Sequence, residues 1–418
     1  MKIKIFLLIL FAFQLTSVFA QNTDLVDSSQ TQVLADTGKK YLIPDVRKKM
    51  SWTHFSTKLF SMQLGAAPII DYSAFFQDSA SIRQVGKQKD QFDLRSARFM
   101  MRGKIFFKNR WSYLIGIEYK GLDRTDDQKA FGFTDLMFTI PAGKIGSFSV
   151  GKLKETFVYE MVGDAANLPQ AERILNPFFV SRNTGVRWNK PLLNDRMTMA
   201  AGYFNNFITT DTTLKGGANS FTARLTGLPY YDEATKTFLH LAVSTRYAEG
   251  QNDILRYKGK NESNVTSNYV DTKNFAADHS WSIGFEELWN IKNFSLLGEY
   301  VISTASTPQG SETFKGYYFT GSWVLSGEQR PYDKKAAYAR RVKPEATHGA
   351  WEVVARISNV DLDSKDIKGG KLVKFYGGLN WWATQYWRMA FGYGYSNLDR
   401  DNIKGITNSL IVRLQWIY

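Results

Sequence analysis

Between residues 92 and 107 of this 418-residue chain, cations recur on one side of a two-residue alternation. Arg98, Arg102 and Lys104 stand at even positions, against Ala97, Phe99, Met101, Ile105 and Phe107 at odd ones. In an extended strand these sets point to opposite faces, one cationic and one apolar. Later alternating stretches place Arg187, Arg224, Arg246, Arg356, Lys374, Arg388 and Arg413 on the corresponding face, with Glu118, Glu299 and Glu352 opposing them. Rows of Lys and Arg lower the barrier to anions and raise it to cations, and a guanidinium can hold two phosphate oxygens at once. This is recognition by field and hydrogen bond, with no bond broken.

Bond-breaking chemistry finds little to build on. The four histidines, His54, His240, His279 and His348, are scattered, and His240 reads as inward-facing, away from any lipid-side Ser–His hydrolase site. H-E-x-x-H, G-x-S-x-G and phosphate-cradling glycine loops are missing from the sequence. Cysteine is absent too, which removes zinc-thiolate, iron–sulfur and thiol chemistry. The expectation is a chain without enzymatic activity and without a cofactor.

The elements that would carry the cations are strands. Aromatics make up 15% of the chain, with 32 glycines and only 10 prolines, a mixture suited to many long strands with aromatic girdles. Mean hydropathy is negative, which argues against a helical membrane bundle. Met1 to Ala20 reads as a secretory signal peptide, with Lys2 and Lys4 ahead of the apolar run Ile5–Phe13 and Val18-Phe19-Ala20 at the cleavage position. Removing those two lysines takes the formal charge of +14 to +12. Such a chain has reason to meet anions, whether lipopolysaccharide phosphates, nucleic acid or a permeating solute, and charge alone does not choose. Residues 21–57 are polar, mixed in charge and without periodicity, an arm in the periplasm with a plug or tether as its conceivable roles.

From Lys58 alternation runs to the end of the chain. Sixteen strands are predicted, starting near residues 58, 92, 111, 130, 146, 183, 196, 220, 237, 273, 293, 313, 349, 371, 386 and 405. The last reads T-N-S-L-I-V-R-L-Q-W-I-Y, with Leu410, Val412, Leu414, Trp416 and Tyr418 on one face. A chain that closes a barrel in lipid needs that profile, because each backbone group must pair and the outer face must match hydrocarbon. Trp111 to Tyr119, Tyr317 to Leu325 and Trp387 to Tyr395 likewise put rings at the ends of an apolar face. The predicted fold is all-β, a transmembrane antiparallel barrel over residues 58–418. Tight polar turns such as Lys108-Asn109-Arg110, Leu193-Asn194-Asp195 and Ile291-Lys292-Asn293 belong at the periplasmic end. Gln251 to Asp278 and Arg330 to Thr347, being longer, are expected outside.

Alternation stops at Glu160 to Phe179, E-M-V-G-D-A-A-N-L-P-Q-A-E-R-I-L-N-P-F-F. Irregular backbone at that place survives in water or folded into the lumen. As a constriction loop it would present Arg173, and Arg182 just beyond it, to a solute.

Several runs resemble the phosphate-selective porin O and P family: G-K-L-K-E-T-F-V-Y-E from Gly151, L-P-Q-A-E-R, R-N-T-G-V from Arg182, G-Y-Y-F-T-G-S-W-V-L-S-G-E-Q-R-P-Y from Gly316, G-A-W-E-V-V-A-R-I-S-N-V-D-L from Gly349, and G-G-L-N-W-W from Gly377. The C-terminal strand also resembles the aromatic-ended signal of bacterial outer-membrane barrels, read by the barrel assembly machinery through Tyr418. The resemblance implies a sixteen-stranded porin in the outer membrane of a Gram-negative bacterium, a homotrimer with inward-folded loops and an arginine-lined path for small anions such as phosphate. Its partners would be outer-membrane lipid and lipopolysaccharide, not nucleic acid. On these grounds Arg98, Arg102, Lys104, Arg173, Arg182 and Arg187 are the expected solute path. Gly163-Asp164-Ala165-Ala166 departs from the more regular acidic-then-arginine run of the family. Two other readings remain: a general or sugar-passing porin without anion preference, and a loop-plugged surface barrel serving as adhesin or scaffold.

Overall fold

The structure, a computed structural model, describes residues 53–106, 110–119, 131–205 and 218–418. Sixteen long strands run in chain order: β1 (Phe60–Gln77), β2 (Gln91–Ile105), β3 (Trp111–Tyr119), β4 (Phe131–Pro141), β5 (Ser147–Leu153), β6 (Asn183–Leu192), β7 (Met197–Asn205), β8 (Asn219–Asp232), β9 (Thr237–Glu249), β10 (His279–Ile291), β11 (Phe294–Thr307), β12 (Gly310–Val324), β13 (Ala350–Asp363), β14 (Lys368–Trp382), β15 (Trp387–Arg400) and β16 (Ile403–Trp416). Each pairs antiparallel with its neighbours in sequence, and β1 pairs with β16 from Ile69 opposite Gln415 to Gln77 opposite Thr407. The sheet is thereby closed, with no edge left to pair with another chain. The predicted strand starts agree with the observed ones within three residues, except that the one expected near 273 lies at His279. Residues 1–52 and the 107–109 part of the first predicted turn lie outside the described residues.

The two faces follow the predicted alternation. Outward positions are apolar, with Phe99, Phe319 and Trp323 more than half exposed, as a wall against hydrocarbon requires. Inward positions on β8 to β16 are buried and many are polar, Thr222, Ser282, Ser303 and Ser358 among them, with apolar ones where the connections pack. Gly151 on β5 shows why its motif begins with glycine. Its φ is +125°, and an added Cβ would lie 2.1 Å from the Leu136 carbonyl oxygen across the β4–β5 ladder.

Among the described residues, three connections fill the interior. Residues 154–182, between β5 and β6, bury Phe157, Val158, Met161, Leu168, Ile174, Leu175 and Phe178 against inward residues such as Leu288, Val301, Phe314 and Tyr318. Residues 250–278 reach inward from the same end, placing Asn261 and Glu262 on inward residues of β13 to β15. The third, residues 325–349, enters from the end that carries the chain terminus, and Arg341 donates to the Ile417 carbonyl at 3.2 Å. Here the expected placement of Arg330 to Thr347 outside is corrected. Strand parity decides the end: β12 runs toward the terminal side, so the connection after it joins the short turns 193–196, 233–236 and 383–386 there.

Candidate functional site

The interior is divided. Loop 154–182 occupies the side walled by β8 to β16, and arginines of those strands bind it. The Arg356 guanidinium donates to Glu160 and Glu262, each at 2.7 Å. Arg388 donates to the carbonyls of Leu168 (2.8 Å) and Pro169 (2.7 Å). Arg413 grips Asp71 on β1 and donates to the Ala171 carbonyl and Glu172. Arg224 is paired to Glu286, and Arg246 to Glu155. Lys374 donates to the Asn261 carbonyl at 2.9 Å. The cations expected on the lumen face do point inward, but on this side they are committed to carboxylates and carbonyls, since a buried charge must be paired or hydrogen-bonded. Two inner glutamates serve the same packing. Glu299 accepts from the backbone N–H of Tyr159 (2.5 Å) and Glu160 (2.9 Å), and Glu352 pairs with Arg330.

On the other side, walled mainly by β1 to β7, a cavity of about 1550 Å³ remains. Fourteen of its lining residues are Lys or Arg, and five are Asp or Glu. All six residues expected on the solute path, Arg98, Arg102, Lys104, Arg173, Arg182 and Arg187, line it. Their partners differ. Arg98 is 3.2 Å from Glu118, and Arg182 donates to Asp135 at 2.9 Å. Arg102 donates to the Gln63 amide oxygen, and Arg187 to the Lys154 carbonyl. Arg173 donates through one terminal nitrogen to the Gly163 carbonyl at 2.8 Å, while its buried Nε has no partner among the described residues. Burial is the largest influence on this guanidinium and lowers its pKa to about 10, so it stays charged at neutral pH.

The sequence reading missed Lys154, which sits beside these groups. Its ammonium donates to Asp164 (2.7 Å) and to the carbonyls of Val162 (3.1 Å) and Gly163 (3.2 Å). Burial lowers its pKa to about 8. Burial pushes the Asp164 carboxyl up, but the Lys154 ammonium with Arg182 and Arg340 together outweigh it and hold the carboxyl below the usual range. The departure Gly163-Asp164 thus supplies the acceptors that seat Lys154. It also meets the third connection, through Tyr338 (3.3 Å to Asp164) and Arg340 (4.0 Å). Lys154 lies one residue past the end of β5, where alternation assigns no face. Lys335, Arg340, Arg341 and Lys343, also lining the cavity, were missed because their segment was placed at the wrong end.

The family model for phosphate-selective porin O and P matches residues 66–418. The chain belongs to the phosphate-selective porin O and P family. Porin O of Pseudomonas aeruginosa is 26% identical over 157 residues, 34% of this chain and 35% of the relative, so the aligned region spans about a third of that protein. Among solved structures the barrel is similar to an anion-selective porin from Comamonas acidovorans, at TM-score 0.57 and 12% identity over 86% of this chain and all of that one. It is also similar to in-vitro folded OmpT of Vibrio cholerae in a trimer form, at TM-score 0.54 and 11% identity over 86% and 100%. At such identities the likeness establishes the fold. Family and fold together are those of outer-membrane channel proteins, and the run G-K-L-K-E supplies the tight glycine of β5 and sets Lys154 on the cavity wall.

Proposed function

We propose that the protein is a passive outer-membrane porin whose cavity favours small anions, phosphate included. One observation carries this reading: fourteen cations against five carboxylates line a cavity of about 1550 Å³, and cations remain in excess when Glu172, Glu286 and Asp71, the partners of Arg95, Arg224 and Arg413, are counted with the five. Water-exposed cations in a low-dielectric wall raise the local concentration of anions and depress that of cations. Arg98, Arg102, Lys104, Arg173, Arg182 and Arg187 form the path, with Lys154 beside them. The open volume speaks against the fully plugged reading, and uptake of a small sugar in liposome swelling checks it. Charge reversal in the R98E/R102E variant is expected to move the reversal potential toward potassium. An unchanged potential would refute this assignment of residues.

Residues 1–20 are read as the cleaved export signal, and the strand ending at Tyr418 as the contact of the assembly machinery. The homotrimer is supported by the trimer form of OmpT. At the rim opposite the termini, outward Lys315, Asp361, Lys371, Asp399 and Lys404 face one another strand by strand. This alternating row suits lipopolysaccharide phosphates with the cations between them.

A further inference from the structure

Two of the interior connections enter from opposite ends of the barrel and bind each other inside it. The Tyr159 hydroxyl of loop 154–182 accepts the backbone N–H of Ala339 from 325–349 at 2.8 Å, and both residues are buried. The Tyr338 hydroxyl reaches the Asp164 carboxylate at 3.3 Å, and Arg330 donates to the Asn167 carbonyl at 2.7 Å. Three hydrogen bonds thus join a segment anchored between β5 and β6 to one anchored at the terminal end.

Both sides of this junction carry backbone strain. Val158, immediately before Tyr159, has a φ of +53°, and Ala337, two residues before Ala339, has the same value. Left-handed backbone is costly for a residue with a Cβ, most of all a β-branched one, and it persists only where the surroundings impose it. Here the barrel wall imposes it: the Val158 N–H donates to the Ser244 hydroxyl at 3.3 Å, and the Ala337 carbonyl accepts from Arg224 at 3.1 Å. Away from these contacts each residue relaxes, so the strain favours a second, undocked arrangement. Gly327 and Gly349, at φ +98° and +85°, bracket the connection 325–349 and supply turning points for that movement. The wall ties the docked connection through His240, hydrogen-bonded to the Tyr332 hydroxyl at 2.7 Å, and through Thr198, which donates to the Lys334 carbonyl at 3.3 Å.

We infer that loop 154–182 and connection 325–349 form one two-state plug that docks and leaves as a unit, so that displacing the loop at its own mouth loosens the connection at the terminal mouth, and the reverse. Asp164 and Asn167 of the loop and Lys335 and Arg340 of the connection all line the cavity. Both ends of the solute path therefore widen in one step. The coupling lies in the bonds between the two segments and holds whichever solute passes.

The absence of native cysteine lets V342C report on the connection in the full mature protein, since Val342 is buried with Trp382 at the terminal end. Its rate of labelling by a water-soluble maleimide is compared with and without E160A, which frees the loop on the far side of the junction. E160A is expected to accelerate labelling about thirtyfold, within the range of coupled sites. Y159F with Y338F cuts two of the three joining bonds, and in that background the E160A factor is expected to shrink to about threefold. Coupling is reciprocal, so T198V with Y332F, which removes two ties of the connection to the wall and none to the loop, is expected to speed tryptic cleavage after Arg173 about fivefold. This arm does not depend on E160A, and heat-modifiable migration in gels identifies assembled barrels in every variant. Labelling of V342C unchanged by E160A while cleavage after Arg173 rises would show two segments moving independently and overturn the inference. An E160A factor of the same size with the junction cut, or no effect of T198V with Y332F on that cleavage, would overturn it as well.

Discussion

The hold of loop 154–182 on the barrel is concentrated at Glu160, and E160A measures it. The Glu160 carboxylate accepts from the N–H groups of Ile174 (3.1 Å) and Leu175 (3.0 Å) as well as from Arg356 (2.7 Å), all buried. Truncation strands two backbone donors, at about 1 kcal/mol or more each, and strips Arg356 of one of its two carboxylates. Losing one side of a buried ion pair costs about 3–5 kcal/mol, here at the lower end because Glu262 remains. Both losses fall on the docked loop, since an undocked loop is solvated. The docked-to-open ratio is therefore expected to fall by about 5 kcal/mol, several thousandfold. The sixteen-strand ladder does not use Glu160, so the barrel itself should keep its resistance to denaturation in gels. Trypsin reports the opening: Arg173 lies inside the barrel wall beyond protease reach, and a loop that swings out exposes it. Cleavage after Arg173, giving a fragment beginning at Ile174, should accelerate about as much as the open population grows when reclosing is fast. A rate within tenfold of the parent, at unchanged conductance, would refute the placement of this bond network at the centre of the loop's attachment.

Two other consequences are accessible. Lys154, with its pKa lowered by burial to about 8, is charged below that pH and neutral above it, while Asp164 stays ionised; the chloride-to-potassium permeability ratio should fall between pH 7 and 9. K154M should show a lower ratio at pH 7 and no step, and a step of the same size in that variant would contradict the assignment. G151V would drive a side chain into the Leu136 carbonyl across β4–β5, so the fraction of heat-modifiable, assembled barrel should drop severalfold, and parental assembly would show that this contact is tolerated.

Most of the barrel is legible in the sequence because one physical demand repeats in every strand. Lipid-facing positions must be apolar and their neighbours are not, so alternation alone sets both the strand starts and the inward side of Arg98, Arg102, Lys104 and Arg187. The break at Glu160 to Phe179 is legible for the same reason. What alternation cannot carry is pairing across the interior. Arg356 meets Glu160 from 196 residues away, through the path of an irregular loop that leaves no periodic trace, and so inward arginines on β8 to β16 read like those on β2. Lys154 sits past the last alternating residue of β5. The end at which 325–349 lies was readable in principle by counting strands, since the sixteen predicted starts already fix it; length alone suggested the opposite, and this long connection at the terminal end is the exception to the length rule.

The central claim, a cation-lined cavity that favours anions, is tested most directly by the reversal potential of the purified mature protein in a planar bilayer under a tenfold KCl gradient, repeated with phosphate on one side. The excess of cations over carboxylates around the cavity predicts a potential toward chloride and a conductance that phosphate reduces. A potential near zero or toward potassium would contradict it, showing that Glu118, Asp135 and Asp164 cancel the field of the arginines they face.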